Sequence, residues 1–568
     1  MMSSFRKSCI SLLIGCLFVA QNVVEANAAN TKTDWASDLD YLSEEIFKRH
    51  PDPDYAFSAD RWDASAKDLK KRMRGMSDTE VVIELARLIA RLEDGHTNLD
   101  QHEKYGFDQW FPIRFYWFDD GLFITTAHET TGVKVGSRIE RVGGKDWRAV
   151  AETASSLMGA ENEFRMREMA PIYLASVPVM EALGFVEPGA PLELDIVSPS
   201  GEQKKISVDR TKSFYSSNFR FWGETFGPPH DDFDTYNTVM ENRAPLAYRD
   251  YAAEAPPYLA SREPYWFRRD DAANIVFMQF NFAAEVGGER WDDFRSRLWA
   301  DIDNKAPTKF IIDIRYNFGG DGSMVQPFIK ELLARPSLTK DGKLFVITGR
   351  QTFSAGIMMA AALRNNTAAV FVGEPAGAPF NHYGDPVSVQ LPNSTLNLNI
   401  STLYWQLAHP SDHRKIIPID IPVSNRAADY FNMIDAFYDA AVTAPSQWSL
   451  LEIFKTDGAE KALAEYDARK TKYGAFSFWR VMPDDSDKIS KTISALSDAG
   501  KTTDALALAV LWTEIYQKSI NAWLTVADMT SETDKDLHRH AVISAAKIDP
   551  ERADVKEAIE ALSTSGQD

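Results

Sequence analysis

Phe310-Ile311-Ile312-Asp313-Ile314-Arg315-Tyr316-Asn317-Phe318-Gly319-Gly320-Asp321-Gly322 is a largely apolar run that ends in a cluster of glycines. Apolar residues at successive positions, without in/out alternation, are expected of a strand covered on both faces. The glycines stop the strand and open a helix over 323–335, where free backbone N–H groups can supply an oxyanion donor or cradle a phosphate. The segment lacks the Gly-Lys-Ser/Thr of a P-loop and the spacing of a dinucleotide fingerprint. Outward from it, strands are expected at 275–280, 310–315, 344–348 and 369–373. Helices fit between them at 289–303, 323–335 and 355–364. Strands alternating with helices define an α/β layered core, assigned to 213–444. Within that range, 213–270 is rich in aromatics and proline and reads as a long connection packed on the core.

The flanks change character. From Asp34 to Leu92 the apolar period is helical, with Trp35, Leu39, Leu42 and Ile46 on one face and Val81, Leu85, Leu88, Ile89 and Leu92 on the next. Ser77 and Glu80 have capping-box spacing. This N-terminal helical segment, 29–104, ends in Asp94-Gly95-His96-Thr97. Residues 105–212 turn to short alternating strands and glycine turns, with roughly forty helical residues inserted before the last two strands. After about Pro445 a C-terminal helical domain, 445–568, carries Ala and Leu at helical spacing. Its phrase Ala545-Ala546-Lys547-Ile548-Asp549-Pro550 is reminiscent of tetratricopeptide repeats, although no 34-residue register emerges.

The first 28 residues read as an export signal. Arg6 and Lys7 precede an apolar run from Cys9 to about Val24, and Ala26-Asn27-Ala28 has signal-peptidase spacing. Leu13-Ile14-Gly15-Cys16 offers the rival of a lipid anchor at Cys16. The run continues through Leu17-Phe18-Val19-Ala20, which favours cleavage after Ala28 and a periplasmic or extracellular product. Both cysteines of the chain, Cys9 and Cys16, lie in this segment, so cleavage removes every thiol. That excludes a catalytic cysteine, a disulfide framework and thiolate zinc from the mature chain. The formal net charge of −20 disfavours nucleic acid and anionic lipid as partners.

Two further segments carry chemistry. Arg350-Gln351-Thr352-Phe353-Ser354-Ala355-Gly356 lies between a buried strand and an apolar helix, so Ser354 stands at a helix N-terminus where N–H groups can stabilise developing negative charge. The structural alternative is a plain N-cap. His96 follows an apolar helix and can serve as a general base only if the fold brings a nucleophile within reach.

The ordered set Leu92–Thr97, the β-rich unit, 311–320, 352–355, 372–374 and 418–420 resembles the tail-specific/tricorn family of C-terminal processing serine peptidases. Within the β-rich unit, 132–147 resembles a PDZ domain, with Ser137 where Asp is usual. The resemblance spans about 80 to 425. It implies a crotonase-like layered core, an acyl-enzyme mechanism, a peptide or unfolded-protein substrate, and no metal or cofactor. One catalytic arrangement of that family is a Ser–Lys dyad. Pro379 stands in the lysine's place in Gly373-Glu374-Pro375-Ala376-Gly377-Ala378-Pro379, which argues for the tricorn-like arrangement instead. That implies Ser354 as nucleophile, His96 as base and Asp412 as orienting carboxylate, with Glu374 and Asp385 as other candidates for the third role. The N–H groups of Gly319, Gly320 and Ala355 would hold the oxyanion. Gly95 replaces a serine that tricorn-like members carry before the histidine. The competing reading is a non-catalytic peptide- or ligand-binding protein on the same fold, with the C-terminal helices docking a protein partner.

Overall fold

The computed structural model describes residues 33–100, 102–211, 236–238, 264–285, 289–340, 343–432, 434–444, 450–473 and 486–564. Residues 1–28, read above as an export signal, and most of 213–270 lie outside these residues.

The apolar run with which the sequence was approached is the centre of a six-stranded sheet. Its spatial order is Ile421–Pro422, Val370–Gly373, Leu344–Thr348, Lys309–Asp313, Ile275–Phe280 and Tyr265–Asp270. The first five are parallel and Tyr265–Asp270 closes the edge antiparallel. Successive residues of Lys309–Asp313 enter opposite cores. Phe310 and Ile312 pack with the helices Trp291–Asn304, Val325–Leu333 and Ala355–Asn366. Ile311 packs with Phe345, Val370 and the helix Ala436–Thr443 on the other face. Continuous hydrophobicity was therefore the correct strand signal, because neither face meets water. The four expected strands and three expected helices all form, with ends shifted by a residue or two.

Residues 113–208 build a second sheet in the order Ile113–Phe118, Gly121–His128, Arg138–Val142, Leu192–Val197 and Gln203–Val208. The short strands Lys145–Asp146 and Tyr236–Thr238 pair alongside. The helices Trp147–Ser155, Glu163–Ala175 and Val177–Ala182 are the insertion, and they share that sheet's core.

A third sheet was not expected. His382–Gln390 and Asn397–Trp405 form a hairpin, and Asn98–Leu99 pairs antiparallel with the second strand. Pro386 and the polar Asn397 and Asn399 obscure the strand signal. Proline is tolerated here because His382–Gln390 is an edge strand. The N-terminal helices pack on this sheet through Leu391, Leu396, Leu398 and Ile400. The capping box at Ser77 and Glu80 is formed, with Ser77 N–H donating to Glu80 Oε2 at 2.7 Å. Beyond residue 450 the described chain is helical and has its own core, centred on Leu508, Leu511, Trp512 and Val526.

One buried ion network ties the central strand to the opposite layer. Arg315, just after the strand, donates from Nη1 and Nη2 to the two Asp435 oxygens at 2.7 and 2.9 Å, and from Nε to Asp313 at 2.9 Å. Asp435 also caps the helix Ala436–Thr443 by accepting from Tyr438 N–H. Removing the cation leaves two buried carboxylates facing each other. Arg315→Met is therefore expected to lower stability by about 3–5 kcal/mol, measured by urea unfolding followed by circular dichroism.

Candidate active site

The turn that carries Ser354 is held on every side by hydrogen bonds. Thr352 Oγ1 donates to Ile314 O at 2.8 Å and accepts from Gly349 N–H at 3.2 Å. Thr352 O accepts from Gly377 N–H, and Phe353 N–H donates to Asn317 O at 2.9 Å. Ser354 is left with φ 49° and ψ −120°, a conformation that costs a non-glycine residue on the order of 1–3 kcal/mol. Its side chain makes no capping bond to the helix Ala355–Asn366. The N-cap reading therefore fails, because the strain produces no helix-capping bond in return. A strained serine at a strand-to-helix turn is the geometry that presents a hydroxyl as a nucleophile.

Glycines let the neighbouring loop approach. A Cβ on Gly319 would lie 2.6 Å from Ser354 Cβ, one on Gly356 would lie 2.2 Å from Asn317 O, and Gly319 has φ +134°. Asn317 locks the loop by donating from Nδ2 to Phe280 O and accepting Gly319 N–H at Oδ1, both at 3.0 Å. This corrects one expectation. The N–H of Gly319 is already committed and cannot serve as an oxyanion donor while that bond stands. The N–H groups of Gly320 and Ala355 have no hydrogen-bond partner among the described residues. Ala355 follows Ser354, and Gly320 follows the glycine that touches it, so both are candidates to hold a substrate oxygen.

His96 arrives through the third sheet. Asn98 and Leu99 pair with Asn399 and Leu398, and Thr97 Oγ1 accepts from Ser401 N–H at 3.0 Å. The imidazole stacks on Phe353, the residue before Ser354, with ring centroids 4.4 Å apart and planes inclined by 21°. Arg165 covers the same phenyl ring at 4.1 Å. Gly95 is explained by this packing, since a Cβ there would lie 2.9 Å from Phe353 Cζ and 3.1 Å from Glu161 Oε2. His96 is 9% exposed, and both ring nitrogens are buried without a hydrogen bond. Burial lowers its pKa to about 3, with His382 and Arg165 adding to the effect against the pull of Asp94. The ring is thus neutral at physiological pH and carries an unshared lone pair on one nitrogen. It makes no hydrogen bond to Ser354 in this resting arrangement. Such bonds often tighten only when substrate fills the site.

The carboxylate nearest the ring is Asp94, whose Oδ1 lies 4.0 Å from His96 Nδ1. Burial would raise the Asp94 pKa. Bonds from His50 and Thr97 and the adjacent His96 outweigh it and hold the group at about 2. Asp412, the expected orienting residue, does not contact His96. Its oxygens are taken by the Arg414 guanidinium, with Nε at 2.8 Å, which also holds its pKa low against burial. Glu374 is likewise committed, in a buried pair with Arg350. Asp385 has an exposed side chain. Pro379 and Asp412 share a cavity of about 540 Å³ with Asp94, Glu161, Tyr383 and Tyr404.

Glu161 was missed. It lies in the helical insertion of the second sheet, 7% exposed, and accepts Gly95 N–H at 3.1 Å. Burial and the Asp94 charge raise its pKa to about 8. No local pattern marks it in the sequence, because its neighbours come from a segment 66 residues earlier.

No family model and no curated protein matches this chain. Solved structures do. A point mutant of CPAF is 13% identical over 75% of this chain and 98% of that one, with a TM-score of 0.50. Mature CPAF complexed with lactacystin is 13% identical over 72% and 99%, with a TM-score of 0.47. The tricorn protease is 13% identical over 72% of this chain and 36% of its own, with a TM-score of 0.30. The fold is thus a mixed α/β fold that this chain shares with CPAF.

Gly319→Ala tests the close approach at Ser354. A methyl at that position collides with the serine, so a stability loss of about 1–3 kcal/mol is expected by chemical denaturation. Reactivity of Ser354 should fall with it, whereas Asp412→Asn should leave that reactivity within a few-fold.

Proposed function

We propose that this chain is an exported serine peptidase that hydrolyses peptide bonds through an acyl-enzyme on Ser354. The observation that carries the reading is the strained, uncapped Ser354 beside the free N–H groups of Gly320 and Ala355. Nothing in helix formation requires that conformation, and the chemistry of a presented hydroxyl explains it.

In the proposed sequence, Ser354 Oγ bonds to the substrate carbonyl carbon while its proton passes to His96. The oxygen, now negative, is held by Gly320 and Ala355 N–H; one such donor is worth about 2.7–4 kcal/mol of transition-state stabilisation. The protonated His96 gives its proton to the leaving amine as the C–N bond breaks. Water then attacks the ester while His96 takes its proton; His96 returns that proton to Ser354 Oγ as the ester C–O bond breaks, and the acid product leaves. Asp94 is the carboxylate that stabilises the imidazolium, at 4.0 Å from the ring in the resting state. The cavity of about 540 Å³ lined by Asp94, Glu161 and His382 is the proposed seat for part of a peptide. Residues 1–28 direct export, and the C-terminal helices are a surface for a protein partner.

A fluorophosphonate probe is expected to label the wild-type chain at Ser354, identified by peptide mass, and to leave Ser354→Ala unlabelled. Absence of labelling, or labelling that survives the substitution, overturns the mechanism in favour of a binding protein. His96→Ala should slow labelling by at least about 100-fold.

The pH profile gives a second check. A base must be neutral to accept a proton, so activity falls as pH drops through the pKa of His96. That pKa is lowered to about 3, so kcat/KM on a peptide substrate should show no acid limb between pH 8 and pH 5. An acid limb near pH 6.5 would show that His96 is solvated in the working enzyme.

A further inference from the structure

One atom from each of Asp94, His96 and Glu161 lies within 4.8 Å of the other two. Two of these groups lack partners where they meet. Both His96 ring nitrogens and Glu161 Oε2 are buried with no hydrogen bond. Such groups cost on the order of 1–3 kcal/mol each when left unmade. Ion pairing elsewhere in the molecule satisfies comparable buried carboxylates, as Arg315 does for Asp435 and Arg350 for Glu374. Among the described residues no Lys or Arg forms an ion pair with any of the three; Arg165 lies over the Phe353 ring and acts on Glu161 and His96 only through its charge. The donor set is one imidazole nitrogen and two carboxylate oxygens. Hard cations favour all-oxygen sites, and an imidazole shifts the preference towards zinc. Asp94 and Glu161 also line the wall of the 540 Å³ cavity, which gives an ion a route in.

We infer that Asp94, His96 and Glu161 form a zinc site that reversibly inhibits the peptidase. Zinc binds such donors at about 2.0–2.2 Å, so the three side chains close by about an ångström on the ion. A water from the cavity completes the coordination.

The inhibition follows from the chemistry of imidazole. A neutral ring has one free lone pair and one N–H. Zinc takes the lone pair, at whichever nitrogen it binds. The proton then sits on the other nitrogen, and none remains able to accept the proton of Ser354. No covalent bond in the protein is broken, and chelation restores the base. The inference rests on His96 being the base of the proposed mechanism.

The test separates the two. Zinc binding to the full chain is measured by isothermal titration calorimetry for wild type, Ser354→Ala, Glu161→Gln and His96→Asn. Fluorophosphonate labelling rates are measured with and without zinc, and after EDTA. One zinc per chain is expected for wild type and for Ser354→Ala. Affinity should fall at least about tenfold in Glu161→Gln and in His96→Asn. Glutamine keeps the carbonyl that accepts Gly95 N–H, and circular dichroism melts check that both variants fold. Saturating zinc should slow labelling of the wild type at least about tenfold, and EDTA should restore it. Glu161→Gln should lose that zinc sensitivity. No zinc binding, binding unaffected by both ligand substitutions, or labelling unaffected by bound zinc each overturns the inference. If the metal-free chain is not labelled at all, the peptidase reading fails, and the calorimetry still decides whether the zinc site exists.

Discussion

The rest of the site depends on how closely two loops of the central sheet approach each other. The glycine cluster after Lys309–Asp313 and the turn after Leu344–Thr348 are ends of neighbouring parallel strands. They touch at Gly319 against Ser354 and at Gly356 against Asn317 O, at separations that leave no room for a β-carbon. Parallel strands put their C-terminal ends on one edge, so two loops of adjacent strands necessarily meet there. Once they meet without side chains between them, Asn317 can lock one loop while Thr352 locks the other. Ser354 takes up the remaining strain.

The dryness of His96 is the second constraint. Its ring is sandwiched against Phe353 and shut off from solvent, so it stays neutral without a hydrogen-bond partner. Such a ring is unprotonated throughout the physiological pH range. It is also a ligand with an unused lone pair, and the nearby Asp94 and Glu161 make that availability consequential. Burial of this kind penalises the charged ring and leaves its lone pair unshared, which is what both the proposed base and the proposed zinc ligand require.

The parts of this site that could be foreseen are those written in contiguous residues. The strand at 309–313, the turn at Ser354 and the Asp94–Thr97 segment each have local signatures: an apolar run, a serine before an apolar helix, and a histidine at a helix end. The hairpin 382–405 escaped notice because proline and asparagine interrupt its alternation, and an edge strand tolerates both. Asp412 stands six residues before Pro418, and the structure gives its oxygens to the Arg414 guanidinium, two residues away.

The sequence by itself determined the elements and the chemistry they can carry. Period and apolarity decide strand and helix, and the glycines mark where backbones come close. Ser354 was recognisable as a candidate nucleophile because its signal is local. Only the tertiary structure decided partnership. It set His96 on Phe353, made Asp94 the nearest carboxylate, committed Gly319 N–H to Asn317 and brought in Glu161. Partners are set by packing between segments tens to hundreds of residues apart. Local residue patterns do not encode such separations, since burial and hydrogen bonding at each atom depend on every element packed against it.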